Sequence, residues 1–326
     1  MDYSLSGKTI LVTGGTGSFG QKFTEIALRD HSPKALRIFS RGELLQIKMG
    51  EKFRDERLRF LIGDVRDRER LNRAMQGVDV VVHAAALKHI PACEYNPIEA
   101  VKTNIDGTGN VIDAAIDRGV ERVILISTDK AVHPVNLYGA TKMVAEKLII
   151  QSNSYTGGGK TRLSCVRYGN VIGSRGSVIP VFLEQKKNGA ITITDSRMTR
   201  FWITLDEGVR FVLRSMGQME GGEIFVPKIP SMRLMDLADA IAPGTEQRFT
   251  GIRPGEKLHE VLITEDEARH ACEYDDGFVI EPEYPFWRGR RGECGVQVPP
   301  DFRYDSISNT RWLTKEDLQH IVAEML

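Results

Sequence analysis

The stretch Thr9-Ile10-Leu11-Val12-Thr13-Gly14-Gly15-Thr16-Gly17-Ser18-Phe19-Gly20 decides the fold. Its first half is an apolar, β-branched run that reads as a strand, and its second half reads as the opening of a helix. Glycine at 14, 17 and 20 lets the backbone turn sharply, come close to a pyrophosphate and pack the helix on the sheet. Free amides at a helix start attract negative charge, so a dinucleotide phosphate is the expected ligand.

Working outward, further apolar runs fall at residues 36–39, 58–62, 78–83, 122–126 and 163–166, with helical patterns between them. Together with residues 8–13 they predict six parallel strands joined by crossover helices, a Rossmann-type doubly wound α/β sheet. Long helices are predicted after Asn96-Pro97 and over residues 137–151. Beyond residue 172 the pattern loosens into irregular Gly- and Pro-containing segments, with helix-start signals at Thr204, Ser231 and Thr314. The expected division is therefore a dinucleotide-binding domain over residues 1–172. A smaller C-terminal substrate-binding domain is expected over 173–326, with some of its segments returning to the sheet.

Bulk properties exclude several classes. With 44 Lys plus Arg against 44 Asp plus Glu, the chain has no global field to draw nucleic acid or an anionic membrane. The short basic run Arg288-Gly289-Arg290-Arg291-Gly292 reads as a solvated loop. No apolar run reaches the ~20 residues needed to cross a bilayer, and no signal segment opens the chain, so a cytoplasmic protein is expected. Cys93, Cys165, Cys272 and Cys294 are widely spaced and read as structural rather than as a disulfide framework. The histidines, His83 and His89 included, lack paired ligand spacing, and no metal is expected.

The second strand ends in Phe39-Ser40-Arg41, where an NAD enzyme usually carries Asp or Glu. A hydroxyl and a guanidinium suit a 2′-phosphate, and Lys48 adds charge, so NADP is expected over NAD despite nearby Glu43. The alternative is that Arg41 is only a surface loop residue. Asp64, Val65 and Ala84 follow the third and fourth strands at the carboxyl edge, where such a sheet lines its ligand crevice.

Ser127-Thr128-Asp129-Lys130 ends the fifth strand, and Tyr138 and Lys142 follow at helical spacing on one face. A phenol of pKa near 10 becomes a usable base when a cation stabilises its phenolate. Strand, glycine loop and Tyr-x-x-x-Lys together make a combination specific to nicotinamide chemistry on an alcohol.

At these residues the chain resembles the extended short-chain dehydrogenase/reductases. Within them the run from Ser127 to Lys142 resembles the inverting UDP-N-acetylglucosamine 4,6-dehydratases, first enzymes of pseudaminic acid synthesis. The likeness extends to His83 through His89, Arg167-Tyr168-Gly169-Asn170-Val171, Gly173 through Val178, and Arg253-Pro254-Gly255-Glu256-Lys257. It implies oxidation at C4, loss of water across C5 and C6, return of hydride to C6, and inversion at C5. Tyr138 would take the C4 hydroxyl proton, Lys130 the C5 hydrogen, and Asp129 would protonate the departing C6 hydroxyl, with Thr128 and Lys142 completing the set. For Lys130 to act as a base, its pKa must fall from ~10.4 toward neutrality, a change of about 4 kcal/mol expected from burial beside Lys142 and Lys88.

The resemblance also implies cofactor contacts from Gly14, Thr16, Gly17, Ser18, Phe19, Gly20, Lys88 and Asn104, besides Tyr138 and Lys142. Substrate contacts are implied for Lys88, Thr128, Tyr138, Asn170, Ser177, Val178, Arg200, Arg253 and Glu256. UDP-N-acetylglucosamine is the expected small-molecule partner, and a homo-oligomer the expected state. A nucleotide-sugar epimerase of the same fold and a non-catalytic dinucleotide scaffold remain as alternatives. The pair Asp129-Lys130 speaks against the first, and intact Thr128, Tyr138 and Lys142 against the second. Lys130 also has a plainer reading, as a lysine salt-bridged to Asp129.

Overall fold

A computed structural model of the chain describes residues 3–173, 178–287 and 295–323. Strands β1 (Thr9–Thr13), β2 (Ala35–Ser40), β3 (Leu58–Ile62), β4 (Val80–His83), β5 (Arg122–Thr128) and β6 (Arg162–Tyr168) pair in the parallel order β3-β2-β1-β4-β5-β6. This is the Rossmann arrangement that the strand pattern predicts. Both faces of its centre are covered, so β1 and β4 are buried at every residue, as parallel strands between helix layers must be.

The sheet has ten strands rather than six. Ile224–Pro227 adds parallel to β6, and Gly277–Ile280, Ala271–Glu273 and Val296–Gln297 extend it antiparallel. These strands have two to four residues each, too few to display a period. The helix Leu205–Gln218 also packs on this main core, its start closed by a reciprocal capping box between Thr204 and Glu207.

A second core lies in the C-terminal half, where Ile179, Phe182, Ile193, Trp202, Leu237 and Leu318 meet. Thr314 caps the helix Lys315–Ala323 by accepting from Asp317 N, as expected. Ser231 does not start a helix. It opens the strand Ser231–Arg233, paired antiparallel with Thr199–Ile203, and the helix begins only at Leu234. Its hydroxyl instead accepts from Asn309, which satisfies the short polar side chain by another route.

Cys93 and Cys165 are buried and free, but Cys272 is disulfide-bonded, which corrects the expectation that no cysteine is bridged. Among the described residues no helix is long and apolar enough to cross a membrane.

Candidate active site

The carboxyl edges of β1, β2, β4, β5 and β6 open on a cavity of about 830 Å³, a volume suited to extended small-molecule ligands. From the first four strands its wall carries Gly14, Thr16, Gly17, Ser18, Phe19, Gly20, Ser40, Arg41, Asp64, Val65 and Ala84. The opposite wall carries Lys88, Thr128, Lys130, Tyr138, Lys142, Asn170, Val178, Arg200, Arg253 and Glu256. Helix α1 (Ser18–Asp30) begins at this edge with its first amides toward the cavity mouth. Gly14 has φ +65°, and a Cβ there would stand 2.8 Å from Ala85 N, so only glycine keeps this part of the wall open.

Three expected residues lie outside the lining. Lys48 is exposed on helix α2 (Glu43–Phe53), away from the wall. Asn104 is 2% exposed in a π-helical turn, Lys102–Asp106, that interrupts the long helix predicted after Pro97. Its amide donates to Leu87 O at 2.9 Å and to Thr141 Oγ1 at 2.9 Å, and its carbonyl accepts from Leu87 N at 2.8 Å. Asn104 thus ties the loop after β4 to the Tyr138 helix. Asp129 is wholly buried beneath the wall. Ser177 lies outside the described residues, as do Arg175, Gly176 and the run 288–292.

The residues expected to be catalytic are positioned by two elements. β5 ends at Thr128, and a single 3₁₀ turn, Asp129–Ala131, follows. The helix Leu137–Gln151 carries Tyr138 and Lys142, and its start is capped by Asn136, whose side chain accepts from Gly139 N at 2.8 Å. Helix and turn touch at Gly139, where a Cβ would come within 2.1 Å of Lys130 O. A glycine beside Tyr138 is what lets the phenol approach the turn.

Thr128 Oγ1 donates to Asp129 Oδ1 at 2.9 Å, and Lys130 Nζ donates to the same oxygen at 2.9 Å. Lys130 Nζ also reaches Asn170 Oδ1 at 3.4 Å and stands 3.6 Å from Glu260 Oε1. Burial pushes Tyr138 up to about 12, against the opposing pull of Lys130 and a hydrogen bond with Thr128. Burial brings Lys142 down to about 8, and its ammonium donates to Ile126 O at 2.8 Å. Lys130 therefore acts on the phenol more than sequence reasoning expected, since that role was given to Lys142.

The expectation for Lys130 itself is reversed. Burial disfavours its charge, but Asp129 and Glu260 outweigh this and hold the amine above its ordinary value. Burial likewise raises Asp129, beyond the opposing effect of Lys130. Sequence reasoning missed Glu260, although it lies three residues past the quoted run that ends at Lys257. The available signal was a charged residue standing directly before the apolar run Val261-Leu262-Ile263, but its burial depends on the tertiary fold.

The other polar residues divide clearly. His83 is buried and neutral, pushed down to about 3 by burial and then by Lys142, and it bonds Thr13 and Thr108 as a packing residue would. Arg200 lies in the wall with Nη1 on Thr199 O and Leu258 O, and Arg253 is exposed at the rim, 4.0 Å from Glu256. Arg41 is exposed and stands 3.9 Å from Asp64.

The sequence profile of the polysaccharide biosynthesis protein family matches residues 10–282. A Campylobacter jejuni protein named UDP-N-acetylglucosamine 4,6-dehydratase (inverting) is 48% identical, covering 97% of this chain and 98% of its own. A Rickettsia rickettsii UDP-glucose 4-epimerase is 44% identical, over 97% and 95%. Among solved structures, Pen from Bacillus thuringiensis is similar with a TM-score of 0.90 at 39% identity, covering 98% of both chains. DesIV, a dTDP-glucose 4,6-dehydratase from Streptomyces venezuelae solved with NAD, is similar with a TM-score of 0.69 at 25% identity, over 77% and 86%. By the extent of these matches and the sheet it folds on, the chain belongs to the polysaccharide biosynthesis protein family, built as an extended short-chain dehydrogenase/reductase.

Proposed function

We propose that the protein is an NADP-dependent, inverting UDP-N-acetylglucosamine 4,6-dehydratase, a hydro-lyase acting on a nucleotide sugar. The observation that carries this reading is the pair Asp129 and Lys130, 2.9 Å apart, with Lys130 and Tyr138 in the cavity wall and Asp129 directly beneath it. Simple C4 epimerisation needs no acid and base for dehydration, whereas removal of water across C5 and C6 needs both. The Campylobacter relative's name supports the same reading.

The glycine cradle at Gly14 fits a dinucleotide pyrophosphate, and Ser40 and Arg41 at the rim fit a 2′-phosphate. When bound, the nicotinamide accepts hydride from C4 of the sugar and returns it at C6. Tyr138 takes the C4 hydroxyl proton, with Lys130 and Thr128 favouring its phenolate. The C4 ketone acidifies the C5 hydrogen, Lys130 removes it, and Asp129 protonates the departing C6 hydroxyl. As hydride reaches C6, one proton added to C5 from the opposite face completes the balance and inverts that centre. One proton moved from Lys130 to Asp129 prepares both groups at once. Lys88, Asn170, Arg200, Arg253 and Glu256 are the wall residues assigned to sugar and diphosphate. Residues 1–172 hold the cofactor in this reading and residues 173–326 mainly the substrate, in a cytoplasmic homo-oligomer serving pseudaminic acid synthesis.

The test is incubation with UDP-N-acetylglucosamine in deuterated water, followed by NMR of the product. A 6-deoxy-4-keto sugar carrying deuterium at an inverted C5 is expected. The Rickettsia relative's name favours the epimerase alternative. A product with carbon 6 unchanged would establish that alternative and sink the dehydratase.

A further inference from the structure

Glu260 has no part in the chemistry described above, yet it is the second carboxylate at the Lys130 amine. The strand that follows it, Val261–Ile263, is buried throughout and draws Glu260 inside with it, leaving its side chain 3% exposed. Oε1 stands 3.6 Å from Lys130 Nζ and 3.8 Å from Arg200 Nε, and Oε2 stands 3.7 Å from Lys257 Nζ. Oε2 has no hydrogen-bond partner among the described residues, and neither has Asp129 Oδ2. Buried carboxylates short of hydrogen bonds are costly, and a purely structural ion pair is normally better satisfied. A cavity of about 120 Å³, whose wall includes Lys130, Asn170, Arg200, Lys257 and Glu260, opens beside Glu260.

We propose that Glu260 is a positioning residue for dehydration, which fixes the Lys130 ammonium between two carboxylates and governs the passage of one proton from Lys130 Nζ to Asp129 Oδ1. The inference rests on the dehydratase reading. The step balances within the pair: an N–H bond at Lys130 breaks, an O–H bond at Asp129 forms, and no charge enters or leaves. An ion pair becomes a neutral amine beside a neutral acid, the base and acid that the elimination needs. The negative charge of Glu260 opposes this transfer, while Arg200 and Lys257 partly offset that charge.

The groups facing Lys130 come from every side. Asp129 lies on the same turn, and Tyr138 on the helix Leu137–Gln151. Lys88 comes from the loop after β4, Asn170 from the short strand Asn170–Val171 beyond β6, and Arg200 from the strand Thr199–Ile203. Glu260 and Lys257 come from the segment before Val261–Ile263. The active pair holds one proton. Activity is lost on the acid side when the pair gains a second proton and on the alkaline side when it loses the first. Because a carboxylate within about 4–6 Å raises both steps, Glu260 holds both limbs of the kcat profile at higher pH than the pair would set alone.

The experiment measures the pH dependence of kcat for formation of the 6-deoxy-4-keto product in the full chain and in Glu260→Gln. In the variant both limbs should move to lower pH by about one unit or more, with KM little changed because Glu260 does not line the substrate cavity. Lys257→Met removes a counter-charge and should move both limbs the other way, and Glu260→Asp should keep them near their native positions. A native protein that dehydrates, with limbs unmoved in Glu260→Gln or in Lys257→Met, would overturn this inference alone. A native protein that yields no dehydrated product would overturn it together with the dehydratase reading.

Discussion

Arg167, buried, and Lys130, half-buried in the cavity wall, are both cations held by two carboxylates, but they are satisfied very differently. Arg167 donates from Nε and Nη2 to Glu146 at 3.1 and 2.7 Å, from Nη1 and Nη2 to Glu267 at 3.0 and 2.9 Å, and from Nη1 to Leu262 O at 2.8 Å. These are five bonds for the five N–H groups of a guanidinium that does not lose its proton. They clamp the Tyr138 helix, β6 and the C-terminal segment together. Lys130 has one short hydrogen bond, a longer one to Asn170, and two neighbouring carboxylates that each keep an oxygen without a hydrogen bond among the described residues. Completed bonding marks a structural clamp, and incomplete bonding around a group that can release its proton marks a reacting centre.

The sharpest way to break this contrast is to remove each cation in turn. Lys130→Met should lower kcat for dehydration by roughly 10²–10⁴-fold, the usual contribution of a general base. Cofactor binding, followed by protein fluorescence, should persist. Folding should suffer less than at Arg167, because burial already raises the Asp129 carboxyl and it can take up a proton when the lysine is gone. Unchanged turnover would remove Lys130 from the chemistry.

Arg167→Met leaves the buried Glu146 and the half-buried Glu267 without their cation and should cost about 3 kcal/mol in denaturant unfolding. Its pH signature is also specific. Burial pushes Glu267 up, but Arg167 then holds it below its ordinary value of 4.5. A lowered folded pKa gives stability that is complete above 4.5 and is lost as pH falls toward the folded value. In Arg167→Met that acid-side loss from Glu267 should shrink, which unfolding midpoints measured from pH 6 to about 3 would reveal. An acid slope equal to that of the native protein would contradict the clamp.

A third substitution tests the contact between the two catalytic elements. Gly139→Ala drives a Cβ against Lys130 O and must shift either the helix or the turn. A displacement approaching 1 Å should cut kcat by up to about 10²-fold while leaving the dissociation constant for the cofactor near native. Equal losses in both would point to general misfolding instead.

The contrast also explains what the sequence could tell. The Rossmann half was legible because its central strands are apolar runs buried on both faces and separated by helical patterns, and because Gly14 to Gly20 follows β1 without a gap. Thr128, Lys130, Tyr138 and Lys142 were legible because local spacing brings them to one place. Glu260 was not, since it reaches Lys130 across 130 positions of chain and its burial follows from the strand after it. The same blindness reversed the expected behaviour of Lys130, because neighbouring lysines were visible in sequence and the second carboxylate was not. Asn104 was picked out as a cofactor contact, whereas its part in bracing Leu87 against Thr141 arises from a π-helical turn that no periodicity announces. Ser231 carried a capping residue type, yet strand pairing with Thr199–Ile203 prevailed over that local preference.

The smallest effect sought lies at the exposed end of the cavity, where Arg41 offers a cation that is neither clamped like Arg167 nor half-buried like Lys130. Its side chain is 57% exposed and only 3.9 Å from Asp64, whose carboxylate is already bonded by Arg66 at 2.7 Å. A guanidinium so weakly committed can turn to a 2′-phosphate at little cost. Charge-assisted hydrogen bonds of this kind contribute about 1.5–3 kcal/mol. With half-exposed geometry and salt screening the lower end applies, so Arg41→Ala should weaken NADP binding by roughly tenfold. Binding of NAD, which lacks the phosphate, should change little, and calorimetric titration with both dinucleotides reads the difference. Equal weakening of the two would mean that Arg41 supports the loop rather than recognising the phosphate, and the preference for NADP would then have to rest on Ser40 alone.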